Sequence, residues 1–258
     1  MPFRRLPDTN PTRLNALEGL RKKHAASSSG VILITQAQAA QVDLQSPISL
    51  YSRFKKEVGD IAPALATQVA ATTLVDTRKH RLHLLVTQAL LNILAAIERE
   101  DLAPEVRGLY QLGPNQETLP ELVTKAQLLA WAGHLQTGET ARLASPLPKH
   151  AEPGPLAWPS LAQINTAVGQ LEAAEADQLR AKEKTDLEQE EVSALVAEVD
   201  AFIKDAWDTI EFNLRTHDGP SLRRRAREWG VFYATRPGDA EETETPVTPP
   251  APTPPPTP

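Results

Sequence analysis

The densest run of reactive side chains is Leu222-Arg223-Arg224-Arg225-Ala226-Arg227-Glu228-Trp229, four arginines in five positions beside an indole. Guanidinium groups at this density grip phosphates through charge and paired N–H donors, and a neighbouring tryptophan can stack a base. Arg223, Arg224, Arg225 and Arg227 are therefore the candidate contacts for phosphate or another anion. A plainer explanation fits the same spacing. Leu222, Ala226 and Trp229 share one face of a short helix and can dock it, while the arginines coat its polar side and pair with nearby carboxylates. The formal charge of -6 favours docking, because a typical nucleic-acid-binding protein carries a positive excess.

Asp76, His80 and His83 stand at i, i+4 and i+7, a spacing that a helical metal site can use. Arg78, Lys79 and Arg81 surround them, and their charge opposes a cation. No second ligand set accompanies the motif, and the Glu-x-x-His pattern of carboxylate-bridged diiron bundles is missing from the long helical segments. Glu188, Glu190 and Glu191 lie in a polar helical stretch and read as a solvated face rather than a general acid and base. Glycine-rich phosphate loops and the Gly-x-Ser-x-Gly nucleophile elbow are both missing. No catalytic residue, metal ligand or cofactor is assigned, and an enzyme would need distant residues to converge.

Composition narrows the chemistry further. A chain with no cysteine has no disulfide, thiolate zinc site, thiol redox couple or cysteine nucleophile. Asp239, Glu241, Glu242 and Glu244 account for four of the negative charges, which leaves the rest of the chain close to neutral. The start, MPFRRLPDTNP, shows no apolar run behind its arginines, so neither a signal peptide nor an anchor is expected. The most apolar window, Leu82 to Ile97, is interrupted by polar residues and reads as a buried helix rather than a membrane span. The cytoplasm is the expected compartment.

The elements that must position these side chains are dominated by Ser160 to His217, which contains no proline and only Gly169 to weaken a helix. At about 1.5 Å per residue it is a rod of roughly 85 Å. Gln36 to about Glu100 forms a second helical column, kinked or locally broken at Pro47 and Pro63, with Ser46-Pro47 an equally good fresh start. Paired antiparallel with Ile97 near Ser160, residues whose numbers add to about 257 face each other. Leu82 to Ile97 then meets Leu161, Ile164, Val168 and Leu171, while Ile48, Tyr51, Phe54, Val58 and Ile61 meet Val192 to Ile210. Between those clusters lies a polar waist near 67–81 and 175–190, with Glu175, Gln178, Lys182, Thr185 and Gln189 on the seam and Arg78, Lys79 and Arg81 opposite Glu175 and Asp177.

Shorter elements complete the chain. Asn10-Pro11 starts a first helix that buries Leu14, Leu17 and Leu20 and ends near 27–30. Thr35 can cap the next helix, and Ser160 with Gln163 forms a capping box for the long one. Pro104 opens a short helix reaching Leu109 or Tyr110, and a further helix fits Glu121 or Thr124 to about Gln136, followed at Gly138 by a last turn with Leu143. Residues 145–159 are a proline-rich loop. Asp218-Gly219-Pro220 starts a helix that stops at Gly230, and Val231 to Thr235 can pair with Val31 to Ile34 in a minimal ladder. Residues 239–258 form an acidic Pro/Thr tail without the apolar groups for a core, a spacer whose Pro-x-x-Pro content could also engage an SH3-like groove.

The segment Arg-Glu-Trp-Gly-Val-Phe-Tyr-Ala-Thr-Arg-Pro-Gly (227–238), preceded by Trp207-Asp208-Thr209-Ile210-Glu211-Phe212, resembles a set of uncharacterised, helix-rich bacterial proteins over most of residues 36–238. The resemblance implies a bacterial, helical protein and carries over no activity or site residue. The expected fold is all-α: an elongated antiparallel helical bundle on two long columns, a single domain over 1–238 with room for a two-stranded β pair. Its end clusters lie around 82–172 and around 10–65 plus 190–235. The expected function is a non-catalytic structural, scaffold or adaptor protein that binds protein or itself through helical surfaces. The alternative is a nucleic-acid-associated protein using Arg223 to Arg227.

Overall fold

Helix starts in this chain are set by residues three apart that cap each other. Thr9 and Thr12, Thr35 and Gln38, Thr124 and Gln127, and Ser160 and Gln163 each exchange a side chain for a backbone amide. These reciprocal boxes satisfy amides that have no helical partner. The first cap is Thr9, so Asn10-Pro11 opens the helix from within its first turn. In the computed structural model, which describes residues 2–27, 32–144 and 156–235, the resulting helices are α1 (Asn10–Ala26), α2 (Gln36–Gln41), α3 (Leu50–Glu98), α4 (Val106–Leu109), α5 (Lys125–Leu143), α6 (Leu161–Leu214) and α7 (Gly219–Arg227). Two short strands, β1 (Phe3–Arg4) and β2 (Tyr233–Ala234), accompany them. The fold is all-α with a minimal ladder. The 239–258 tail, and most of the 145–159 loop, lie outside the described residues.

Pro47 and Pro63 have different effects. The expected 36–100 column is broken before Leu50, where the Ser49 hydroxyl donates to the Asp43 carbonyl at 2.6 Å and the Gln41 side chain accepts from the Leu50 amide at 3.2 Å. Pro63 instead sits inside an uninterrupted α3. Proline removes the N–H that would reach the carbonyl four residues back. That residue is Gly59, which is exposed, so water can satisfy it.

The chain divides into two compact units, residues 1–61 with 188–258 and residues 62–187, and α3 and α6 contribute to both. In the first unit, Leu17 and Leu20 of α1, Phe54 of α3, and Val199, Ile203 and Ile210 of α6 are buried in one cluster with Trp207, Ala226 and Trp229. Each such large apolar side chain contributes about 1.5–3 kcal/mol of burial. Tyr51 joins this core as expected, but Ile48 does not: it precedes α3 and is 81% exposed. The ladder partner also differs from expectation. Phe3 pairs with Ala234 and Arg4 with Tyr233, whereas Leu33 and Ile34 turn inward as core residues and the Leu33 carbonyl accepts from Asn213 Nδ2 at 2.9 Å.

Two close approaches join the short elements of this unit. Gly230 has a left-handed φ of 86°, and a Cβ on Gly19 would lie 2.8 Å from the Gly230 Cα. Both positions therefore exclude side chains. Glu18 of α1 accepts from Arg21 Nη2 at 2.7 Å and from the Tyr51 hydroxyl of α3.

The second unit gathers Leu82 to Ile97 with α4, α5 and the start of α6 around Ile164, Ala167 and Leu171. Leu128 and Leu135 of α5 are buried, while Leu129 and Trp131 are half-buried against the same cluster. Gly138 lies within α5 rather than ending it. A Cβ there would sit 2.4 Å from the Tyr110 ring, so the glycine is required by packing. The two long helices are antiparallel here, with Gln178 Nε2 donating to Thr72 Oγ1 at 3.0 Å and Arg78 Nη1 to Gln170 Oε1 at 2.8 Å. Partner numbers thus add to about 250, one heptad from the expected 257.

The waist seam matches expectation at Thr185, which is buried, and at Gln178, which is half-buried, but Ala174 and Ala181 are buried in place of Glu175 and Lys182, and Gln189 is exposed. Glu175 instead pairs with Lys125 at 2.5 Å and Asp177 with Arg180 at 2.7 Å, so neither meets Arg78, Lys79 or Arg81. By length and composition alone α3 also contains a window apolar enough to cross a membrane, and half of that window is buried in the fold.

The Glu18 contact gives the first unit an acid limit. Hydrogen bonds from Arg21, then Tyr51 and Lys22, outweigh burial and lower the Glu18 carboxyl from 4.5 to about 2. A carboxyl lowered in the folded state stabilises fully above its unfolded value, and that stability is lost as pH falls through the folded one. Urea denaturation followed between pH 4.5 and about 2 should show a progressive fall in midpoint that is shallower in Glu18→Gln. Parallel curves for the two proteins would contradict this assignment.

Candidate anion sites around the arginine helix

The arginine run becomes α7 because Asp218 caps it, accepting from the Ser221 amide at 3.2 Å, and because Pro220 suits the first turn. Ala226 and Trp229 are buried in the core of the first unit and Leu222 packs against it. That face fixes the helix and distributes the four arginines around it. Arg223 is half-buried and already engaged. Arg224 and Arg225 line a polar cavity of about 550 Å³ together with Lys23, Asn213 and His217. Arg227 lines a different cavity of about 600 Å³ and stands 5.7 Å from the Tyr233 ring centre.

The expected four-arginine contact is therefore divided. Trp229 is 2% exposed, so it is core and cannot stack a base. The polar cavity retains the charge for an anion: Lys23 pairs with Glu228, while no ion pair engages Arg224 or Arg225 among the described residues. Guanidinium groups presented this way offer planar N–H pairs to a phosphate or carboxylate.

Carboxylates converge where sequence spacing gave no hint. Glu57 of α3 joins Glu188 and Glu191 of α6, with one oxygen from each lying within 4.8 Å of the others. Hydrogen bonding to Glu57, then burial and the charges of Glu57 and Glu188, raises the Glu191 carboxyl above the usual range. Three carboxylates so placed could ligate a divalent cation, although Lys56 already binds Glu57 at 2.9 Å and Asp60 at 3.2 Å. Glu188 and Glu191 were legible as acidic; Glu57 was not, because it comes from the other long helix. Asp76, His80 and His83 do not form a comparable group among the described residues.

One buried polar cluster lies in the second unit. Glu139 and Arg142 are about 1% and 2% exposed. Oε1 of Glu139 accepts from Arg142 Nη2 at 2.8 Å and from the Leu156 amide at 2.7 Å. Oε2 accepts from Arg142 Nε at 2.9 Å and from the Tyr110 hydroxyl. Burial opposes the Glu139 charge, but these donors outweigh it and hold the carboxyl below its ordinary value, while burial pushes the Tyr110 hydroxyl up. Both oxygens are saturated, so the group serves as an anchor for the segment entering α6 rather than as a proton carrier. The Asn92 side chain adds a second tie, donating to the Trp158 carbonyl at 2.7 Å.

Comparison with known proteins returns no match among family models, curated proteins or solved structures.

Truncating the anchor breaks the buried ion pair between Glu139 and Arg142, a change that costs about 3–5 kcal/mol. Glu139→Ala should lower stability to guanidinium chloride by that order. Replacing Glu139 and Arg142 together with apolar residues should cost less. Equal losses would show that the pair is not coupled.

Proposed function

We infer that the protein is a non-catalytic scaffold or adaptor acting through helical surfaces, and that a second copy of the chain is the partner its exposed seam accepts. The observation behind this reading is the outer face of α3 in the second unit. Leu65 and Val69 are 49% and 59% exposed, and Ala62, Ala66 and Thr73 continue the same three-four spacing. Leu179 and Leu187 are likewise exposed on α6. Scattered apolar residues are ordinary on a surface, but a run at heptad-like spacing is the pattern by which helices pair. The reading places the protein in the cytoplasm, with the apolar window of α3 supplying core rather than a membrane span.

A nucleic-acid-associated role is the second reading, favoured by the exposed Arg224 and Arg225 beside Lys23. Analytical ultracentrifugation separates the two. The full chain should form a concentration-dependent dimer, and Leu65→Lys with Val69→Lys should return it to monomer at unchanged helicity. A chain that stays monomeric, and binds duplex DNA at low salt only while Arg224 and Arg225 are intact, would overturn the scaffold reading.

A further inference from the structure

The cavity beside Arg227 belongs wholly to the first unit and has a local cause. Residues 5–8 pass from β1 into α1, and beneath them α1 presents Thr12, Asn15 and Ala16 instead of bulky side chains. The glycine contact between α1 and the turn at Gly230 keeps that wall low. The resulting space of about 600 Å³ has the size of a small-molecule site, roughly 300–1,000 Å³. Leu6, Pro7, Val231 and Phe232 make its walls largely apolar, and buried Trp207 also lines it.

One charged donor on this cavity has no partner. Arg227 has neither a carboxylate nor a hydrogen-bond partner among the described residues. The other charges cancel, because Arg5 pairs with Asp8 at 2.6 Å. The site therefore offers apolar walls and one uncompensated positive charge. A neutral hydrocarbon would leave that charge unmet, and a free phosphate would have to shed water against walls that return no hydrogen bonds.

We propose that this cavity binds a small amphiphilic carboxylate, with its apolar body against Leu6, Val231 and Phe232 and its carboxylate held by the Arg227 guanidinium. The site is independent of self-association, since the exposed α3 seam lies in the other unit.

Isothermal titration calorimetry on the full chain tests this with decanoate and 3-phenylpropionate as probes, which separates a fatty from an aromatic body. One or both should bind one-to-one, and neutral decanol should bind at least about tenfold more weakly, the loss expected for one charge-assisted hydrogen bond. Arg227→Gln, a change at an exposed position, should weaken the carboxylate by a similar factor at unchanged helicity. No binding of either carboxylate at millimolar concentration overturns the proposal. Equal affinity for decanol and decanoate, with Arg227→Gln indistinguishable from the parent, overturns it as well.

Discussion

The chain depends on one seam along α6, whose buried residues recur at steps of three, four or seven from Ile164 through Leu171, Ala174, Ala181 and Thr185 to Val192, Val199, Ile203 and Ile210. A single helix thereby supplies apolar surface to both compact units, and α3 does the same from the antiparallel direction. The seam is uneven in the area it buries. Valine, leucine and isoleucine bury several times the apolar surface of alanine, so the stretch around Ala174 and Ala181 is held by less hydrophobic energy than the clusters flanking it in sequence. Side-chain hydrogen bonds such as Gln178 to Thr72 set alignment there more than stability.

Polar groups follow two regimes. Where burial is complete, as at Glu139 and Arg142, every carboxylate oxygen is matched by donors and the cluster fixes a chain crossing. Where burial is partial, as around α7, the same residue types remain open to a ligand. Docking of Ala226 and Trp229 is what divides the arginines, since a helix fixed by one face must send its remaining positions in different directions.

Features governed by near neighbours were legible in the sequence: the Thr35 cap, the Ser160 box, the Asp218 turn and the left-handed turn at Gly230 that follows α7. The helical class also follows from periodicity, as does much of each core cluster, but not the exposure of Ile48 or the burial of Leu33 and Ile34. The register of the long helices does not, because sliding one past the other by a heptad leaves the same face buried. The alanine seam was passed over because a polar neighbour one position away, Glu175 or Lys182, completes the same spacing. Glu139 and Arg142 look from sequence like an ordinary i, i+3 surface pair, and only the packing of Tyr110 and Leu156 encloses them. The Arg227 cavity draws on residues 5–16, Trp207 and 227–232, and no local pattern joins segments so far apart.

The ladder between Phe3 and Ala234 has a consequence for synthesis. The first unit is discontinuous in sequence, closed by residues from both ends of the described chain, while residues 62–187 form the second unit as one contiguous stretch. On the ribosome the contiguous unit has all of its residues available first. Leu17 and Leu20, made before the contiguous unit, wait for Val199, Ile203 and Trp229 before their core can close. The segment made before the contiguous unit is thus completed after it, with its apolar face uncovered in the interval.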